Sequence, residues 1–200
     1  MENFVKKFIV YVLIFLGLNL EVQAMPSQAA ALPPGGLLTA NFVQYRHLNG
    51  IPKPIKSEGH MILWDGKGLL WSIAAPFPHA ILITKTGLYQ VENKIKTTLV
   101  KAGDNSMFDV MAGIFNMQEG REIRGFTIED VSASHNPWKI RLTPQHARVK
   151  SFIKSITVEG HAHITHITIS RPSGDRDEID VSGHAFAKSA SPQMQELFDE

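Results

Sequence analysis

From residue 37 to 181 the chain runs in short stretches in which apolar side chains alternate with polar ones, each closed by glycine, proline, asparagine or aspartate. Successive side chains on a strand point to opposite faces, so a period of two predicts strands rather than helices. The stretches with this period are Asn41–Leu48, Glu58–Trp64, Leu69–Ile73, Ala80–Thr84, Leu88–Glu92, Lys94–Val100, Arg124–Glu129, Trp138–Leu142, Phe152–Glu159, Ile164–Ser170 and Glu178–Val181. The 49–53 stretch, with its glycine and proline, is expected to close a hairpin, and Asp65-Gly66-Lys67-Gly68 a second turn. Serial short strands joined by turns predict a mainly β domain built on a meandering antiparallel sheet. A sheet with so many strands curls, and its apolar face must be covered.

One segment breaks the period. From Ser106 to Gln118 the pattern predicts a helix, the only convincing one in the chain, with Asp104 or Asn105 as N-cap and Gly120 as its stop. Met107, Phe108, Val110, Met111, Ala112, Ile114, Phe115 and Met117 cover well over half of its circumference, whereas a helix lying on a sheet needs a stripe of about 100°. Three methionines in that set suit a surface that repacks against changing neighbours. The helix is either wholly buried in the core or lines an apolar ligand cavity.

The N-terminus changes the setting. Lys6 and Lys7, the apolar run Phe8–Leu20 and the small residues of Val22-Gln23-Ala24 make a secretion signal, with cleavage expected after Ala24. The run is shorter than the ~20 apolar residues that a membrane span needs. Residues 25–36, rich in small residues, proline and glycine, read as a flexible leader, and residues 37–200 as a single domain. Lysine and arginine total 20 and aspartate and glutamate 19, interspersed along the chain, so no basic face is expected and nucleic acid is not an expected partner. The chain has no cysteine, which removes disulfides, thiolate metal sites and the lipidated cysteine of an anchored lipoprotein. The mature chain is therefore expected free, as a monomer, in the periplasm of a Gram-negative cell.

Candidate chemistry is sparse. There is no G-x-S-x-G, and Asp65-Gly66-Lys67-Gly68 lacks the spacing of a phosphate loop. His161, His163 and His166 are the best metal candidates, but on a regular strand His166 faces away from the other two, and no metal is expected. Glu129 with Asp130, and the run Asp175, Arg176, Asp177 and Glu178, read as solvated turns rather than acid–base pairs. Ser106 has no evident base beside it. No enzyme activity and no cofactor are expected.

Residues 40–89 carry a pattern: Phe42-x-Gln44-x-Arg46, Ser57-Glu58-Gly59, Gly68-Leu69-Leu70-Trp71, Pro76, Ile81-x-Ile83-Thr84 and Gly87-Leu88-Tyr89. It resembles the periplasmic outer-membrane lipoprotein carriers, of which this chain looks like a divergent member. The resemblance implies an unclosed, strongly bent antiparallel sheet, an incomplete β-barrel, with a helical lid over an apolar cavity that takes acyl chains. It implies a non-catalytic carrier of lipoprotein acyl chains, or of a related acyl or polyene lipid, moving cargo from an inner-membrane donor to an outer-membrane acceptor. The expected lining is Phe42, Met61, Leu63, Leu69, Trp71, Ile81 and Ile83 from the sheet and Met107, Met111, Ile114 and Phe115 from the helix. Two departures stand out: Asp65 occupies the place of an arginine that in the family helps to hold the lid, and the C-terminal part, His184 to Glu200, is shortened. The rival reading is an interaction or scaffold protein with a filled core and no lipid cargo.

Overall fold

A computed structural model describes residues 32–93, 95–101, 114, 123, 125–133 and 136–199, the side chains of 100, 101 and 148 excepted. Eleven strands form one antiparallel sheet: β1 (Leu37–His47), β2 (Ile55–Trp64), β3 (Gly68–Ala75), β4 (His79–Thr84), β5 (Gly87–Glu92), β6 (Ile95–Lys101), β7 (Phe126–Asp130), β8 (Trp138–Pro144), β9 (Ser155–Gly160), β10 (Ile164–Ser170) and β11 (Arg176–Ala187). Two short helices lie among the described residues, α1 (Ala147–Lys150) between β8 and β9 and α2 (Pro192–Phe198) after β11. The order across the sheet is β6-β5-β4-β3-β2-β1-β11-β10-β9-β8-β7, so the first and second halves of the chain flank β1, and edge strands β6 and β7 leave the sheet unclosed.

Alternation along the strands sorts the side chains into two faces. The inner face carries Leu38, Ala40, Phe42, Met61, Leu63, Leu69, Ile140, Leu142, Ile156, Val158, Ile167, Ile179 and Val181, which form one buried cluster. Register breaks at Thr39/Asn41, Glu58/Gly59, Leu88/Tyr89 and Ile164/His166 bend the strands around this cluster, because an extra residue on one strand kinks it and raises its twist. Each predicted strand exists, with ends shifted by a few residues. The largest shift is in β11, expected to stop at Val181, which instead continues past Gly183 to Ala187 beside the start of β1. Gly183 holds a positive φ there, a conformation open to glycine in which it bridges the register break instead of ending the strand.

Two further expectations change. Within residues 32–36, assigned to the leader, Leu32 lies in the main cluster and Gly36 is buried, its N–H donating to the Pro33 carbonyl at 2.8 Å, while 33–35 are exposed. The C-terminal segment contains α2, with Pro192 at the first helical position. The Ser191 hydroxyl caps it, accepting from Met194 N–H at 3.3 Å, the bond expected of a serine at the N-cap. The predicted helix Ser106–Gln118 lies outside the described residues except for Ile114, which is buried in the main cluster.

Candidate functional site

Three motif residues meet at the centre of the inner face. Gly59 stands directly across from Phe42, and a β-carbon at Gly59 would run into the Ser72 carbonyl oxygen and stand 2.9 Å from Phe42 Cζ. The bare glycine lets the Phe42 ring lie across β2 and stack on Trp71, with ring centroids 3.9 Å apart and planes inclined by 20°, a stacked contact between two large apolar surfaces. The sequence shows these residues as a spaced pattern; the register makes them one aromatic stack on a glycine.

The expected lining divides by exposure. Phe42, Met61, Leu63, Leu69 and Ile114 are at most 1% exposed, so they belong to the packed core. Trp71, Ile81 and Ile83 are half-buried, as is Ile73, which the sequence reading did not include. Trp71 pairs with Ile81 across β3 and β4, and Leu69 with Ile83, so these four residues share the inner face. Trp71, Ile73, Ile81 and Ile83 make a half-open apolar strip beside the buried Leu69. Met107, Met111 and Phe115 lie outside the described residues.

The two ends of the inner face are polar. At one, the Asp177 carboxylate is 1% exposed and accepts from Arg46 Nε at 2.7 Å, Gln44 Nε2 at 3.0 Å and the Arg171 guanidinium. Burial pushes its carboxyl up, but the bonds and charges of Arg46 and Arg171 with the Gln44 amide outweigh this and hold it below the ordinary value. The charge run 175–178, expected to be a solvated turn, thus contains a buried ion that anchors β11 to β1, and Gln44 and Arg46 of the motif are its partners. At the other end the His163 ring lies 5.2 Å from His184 and 4.9 Å from Phe186. His184 Nε2 is buried without a hydrogen-bond partner among the described residues, and burial, then the neighbouring His163, lowers its proton affinity.

The three histidines weighed as a metal site take separate partners: His161 Nδ1 meets Asn136 Oδ1, the His163 ring lies near His184, and His166 Nδ1 meets Asp180 Oδ1 at 2.8 Å. Glu129 pairs with Arg141 at 3.5 Å, and Asp130 accepts from Ser132 N–H at 2.8 Å, so this carboxylate pair serves its own hairpin. Asp65 holds the N-terminal segment. Gly35 N–H donates to its carboxylate at 3.1 Å, and Asp65 N–H donates to the Gly36 carbonyl at 3.0 Å. No helix among the described residues is long and apolar enough to cross a membrane.

No curated protein matches the chain. Among solved structures, a LolA superfamily protein from Nitrosomonas europaea is 11% identical, with a TM-score of 0.48 over 88% of this chain and 94% of that one. A putative outer membrane lipoprotein-sorting protein domain from Vibrio parahaemolyticus is 10% identical, with a TM-score of 0.42 over 80% and 89%. Membership rests on neither superposition, but on the sequence of residues 37–195, which matches the family described as outer membrane lipoprotein carrier protein LolA. That span runs from the first residue of β1 into α2 and takes in the Phe42–Gly59–Trp71 stack and the Asp177 anchor, so the chain belongs to the LolA family of outer membrane lipoprotein carriers.

Proposed function

We propose that the protein is a non-catalytic periplasmic carrier that receives lipoprotein acyl chains, or a related acyl or polyene lipid, against the inner face of β3 and β4. The observation that carries this reading is the strip Trp71, Ile73, Ile81 and Ile83, four half-buried apolar side chains on adjacent strands beside the buried Phe42, Met61, Leu63 and Leu69. Met107, Met111 and Phe115 of the predicted helix would complete the wall above it. Burial alone supplies the affinity: at ~0.8 kcal/mol per methylene, an acyl chain of a dozen carbons contributes on the order of 8 kcal/mol before ordering costs. A cargo held in this way leaves only for another apolar site, which implies an inner-membrane donor and an outer-membrane acceptor. The signal at residues 1–24 would deliver the chain to that compartment.

The close packing around Phe42, Met61, Leu63 and Leu69 favours a second reading, a scaffold with a filled core. One experiment separates the two. The full chain is expressed, its exported form purified, and bound molecules extracted for mass spectrometry, alongside titration with a fluorescent fatty acid. The carrier reading expects a stoichiometric lipid or acyl peptide, and loss of probe binding in Ile83→Glu with the thermal midpoint retained. Leu69→Glu is the wrong variant for this purpose, because a charge in that sealed position would unfold the sheet. An empty protein that ignores the probe would leave the scaffold reading.

A further inference from the structure

At the end of the sheet that carries Asp177, two neighbouring loops hold large apolar side chains out in solvent. Phe77 is 79% exposed, Ile51 55% and Ile55 52%, the first on the β3–β4 loop, the second on the β1–β2 loop and the third at the start of β2, where that loop ends. Register makes the loops neighbours: Arg46 faces Ile55 across β1 and β2, and Glu58 faces Ala75 across β2 and β3, so both loops leave adjacent strands at the same end.

Each of these side chains is braced by proline. Phe77 sits between Pro76 and Pro78, Ile51 precedes Pro52, and Ile55 follows Pro54. Proline fixes φ and removes backbone freedom, so the loops cannot fold their apolar residues back onto the sheet. Hydrogen bonds stiffen them further: Ile51 N–H donates to the Leu48 carbonyl at 3.0 Å, Asn49 N–H to Asp175 Oδ1 at 2.8 Å, and His79 Nδ1 meets the Phe77 carbonyl at 2.8 Å. An exposed apolar group of this kind, rigidly presented, marks an interaction surface.

Charge points to the occupant. Residues 48–56 and 76–79 contain no acidic residue, while Lys53, Lys56 and His79 lie among the apolar tips. Lys53 has no ion-pair partner among the described residues, and the Lys56 to Glu58 pair, at 3.1 Å, is exposed on both sides. The tips project from the sheet as separate knobs on two loops. A fluid lipid interface accepts such knobs without a matching surface, and its anionic headgroups complement the lysines.

We propose that these two loops dock the protein on an anionic lipid surface, with Ile51, Ile55 and Phe77 entering the headgroup boundary and Lys53 and Lys56 pairing with lipid phosphates. The test is flotation of the exported form of the full chain with phosphatidylcholine vesicles, with or without phosphatidylglycerol. The wild type should float with the phosphatidylglycerol vesicles. The triple variant Ile51→Ser, Ile55→Ser, Phe77→Ser should lose roughly tenfold or more of this binding, from the apolar area withdrawn. Lys53→Glu should weaken it several-fold only where phosphatidylglycerol is present. Phe186→Ser, at the opposite end, should leave it unchanged. Equal flotation of the triple variant, equal flotation with phosphatidylcholine alone, or a wild type that ignores both vesicles while a photo-crosslinker at position 77 captures a protein would each overturn the proposal.

Discussion

The two halves of the sheet, β2–β6 and β7–β11, share one inner face but differ on the outer one. In the second half the outer face is polar: Lys139 pairs with Glu159 at 2.7 Å, and His166 with Asp180, in a row across β8 to β11. In the first half the outer face is apolar as well, with Leu70 and Leu82 buried with Phe198 of α2 and the half-buried Ile62, Trp64, Tyr89 and Val91 packed around them. A strand with one apolar face needs one layer over it, whereas a strand with two needs two. The helix α2 supplies the second layer, and Gly68 makes room for it, since a β-carbon there would stand 3.1 Å from the Phe198 ring. The same half carries the half-open strip Trp71, Ile73, Ile81 and Ile83 on its inner face, so its strands are apolar on both sides.

The comparison can be broken most strongly at a glycine–aromatic contact on the inner face of each half. Gly59 lies under Phe42 in the first half, and Gly160 under Trp138 in the second, where an added β-carbon would meet Trp138 Cζ2 at 2.6 Å and run into the His163 carbonyl oxygen. Gly59→Ala and Gly160→Ala should each destabilise by about 3 kcal/mol or more, because backbone atoms must shift. Chemical denaturation measures the loss. Hydrogen exchange that rises in one half only would show that the halves open separately, and a uniform rise that the sheet is one cooperative unit.

Next in size is Phe198→Ala, expected to cost about 3 kcal/mol through the loss of a buried ring. That ring packs edge-on against Trp64, with centroids 5.5 Å apart. A helix of seven residues has no stability of its own, so α2 should detach. Exchange should increase in β2 to β5 while β8 to β11 stay protected; equal exposure of both halves would contradict the assignment of α2 to one half.

Asp177→Asn tests the anchor between the halves. It should cost about 2 kcal/mol at neutral pH, the scale of a lost charge-assisted hydrogen bond in a partly buried pair. The loss is no larger because Arg46 and Arg171 can both turn toward water. The folded carboxyl titrates below its ordinary value. Its stabilisation is therefore present above the unfolded value of about 3.9 and is lost as pH falls through the folded one. The gap in stability between wild type and variant should narrow below about pH 4. A gap that stays constant down to about pH 2 would show that the charge contributes nothing. The smallest effect is expected from Glu159→Gln on the polar outer face, below about 0.5 kcal/mol and smaller still in high salt.

Much of this is legible in the sequence, because strands of period two, such as those around Ile140 and Val158, declare themselves one residue at a time. The Ser191-Pro192 start of α2 is written there too, but seven residues carry too little periodicity to stand out against a turn. Leu32 escapes notice as a lone apolar residue among prolines and glycines, and its burial depends on the clasp between Gly35 and Asp65, thirty residues apart. Asp177 reads as solvated because its neighbours are charged, and only the register with Arg46 exposes the ion pair. Within the expected lining, alternation places Leu69 and Trp71 on one face but cannot tell that one is sealed and the other half-open. That difference comes from what lies above each residue, which local sequence does not encode.

The clasp between Asp65 and residues 35 and 36 has a practical consequence for labelling. It fixes Leu32 near the β2–β3 turn, at the end of the sheet opposite Phe77. At ~3.5 Å per residue, a fluorophore or affinity tag joined at residue 25 can stray no more than about 25 Å from that point. An N-terminal reporter can thus follow the protein to a vesicle without covering the loops that would meet it, whereas the same label on the β1–β2 loop would block the contact it was meant to detect.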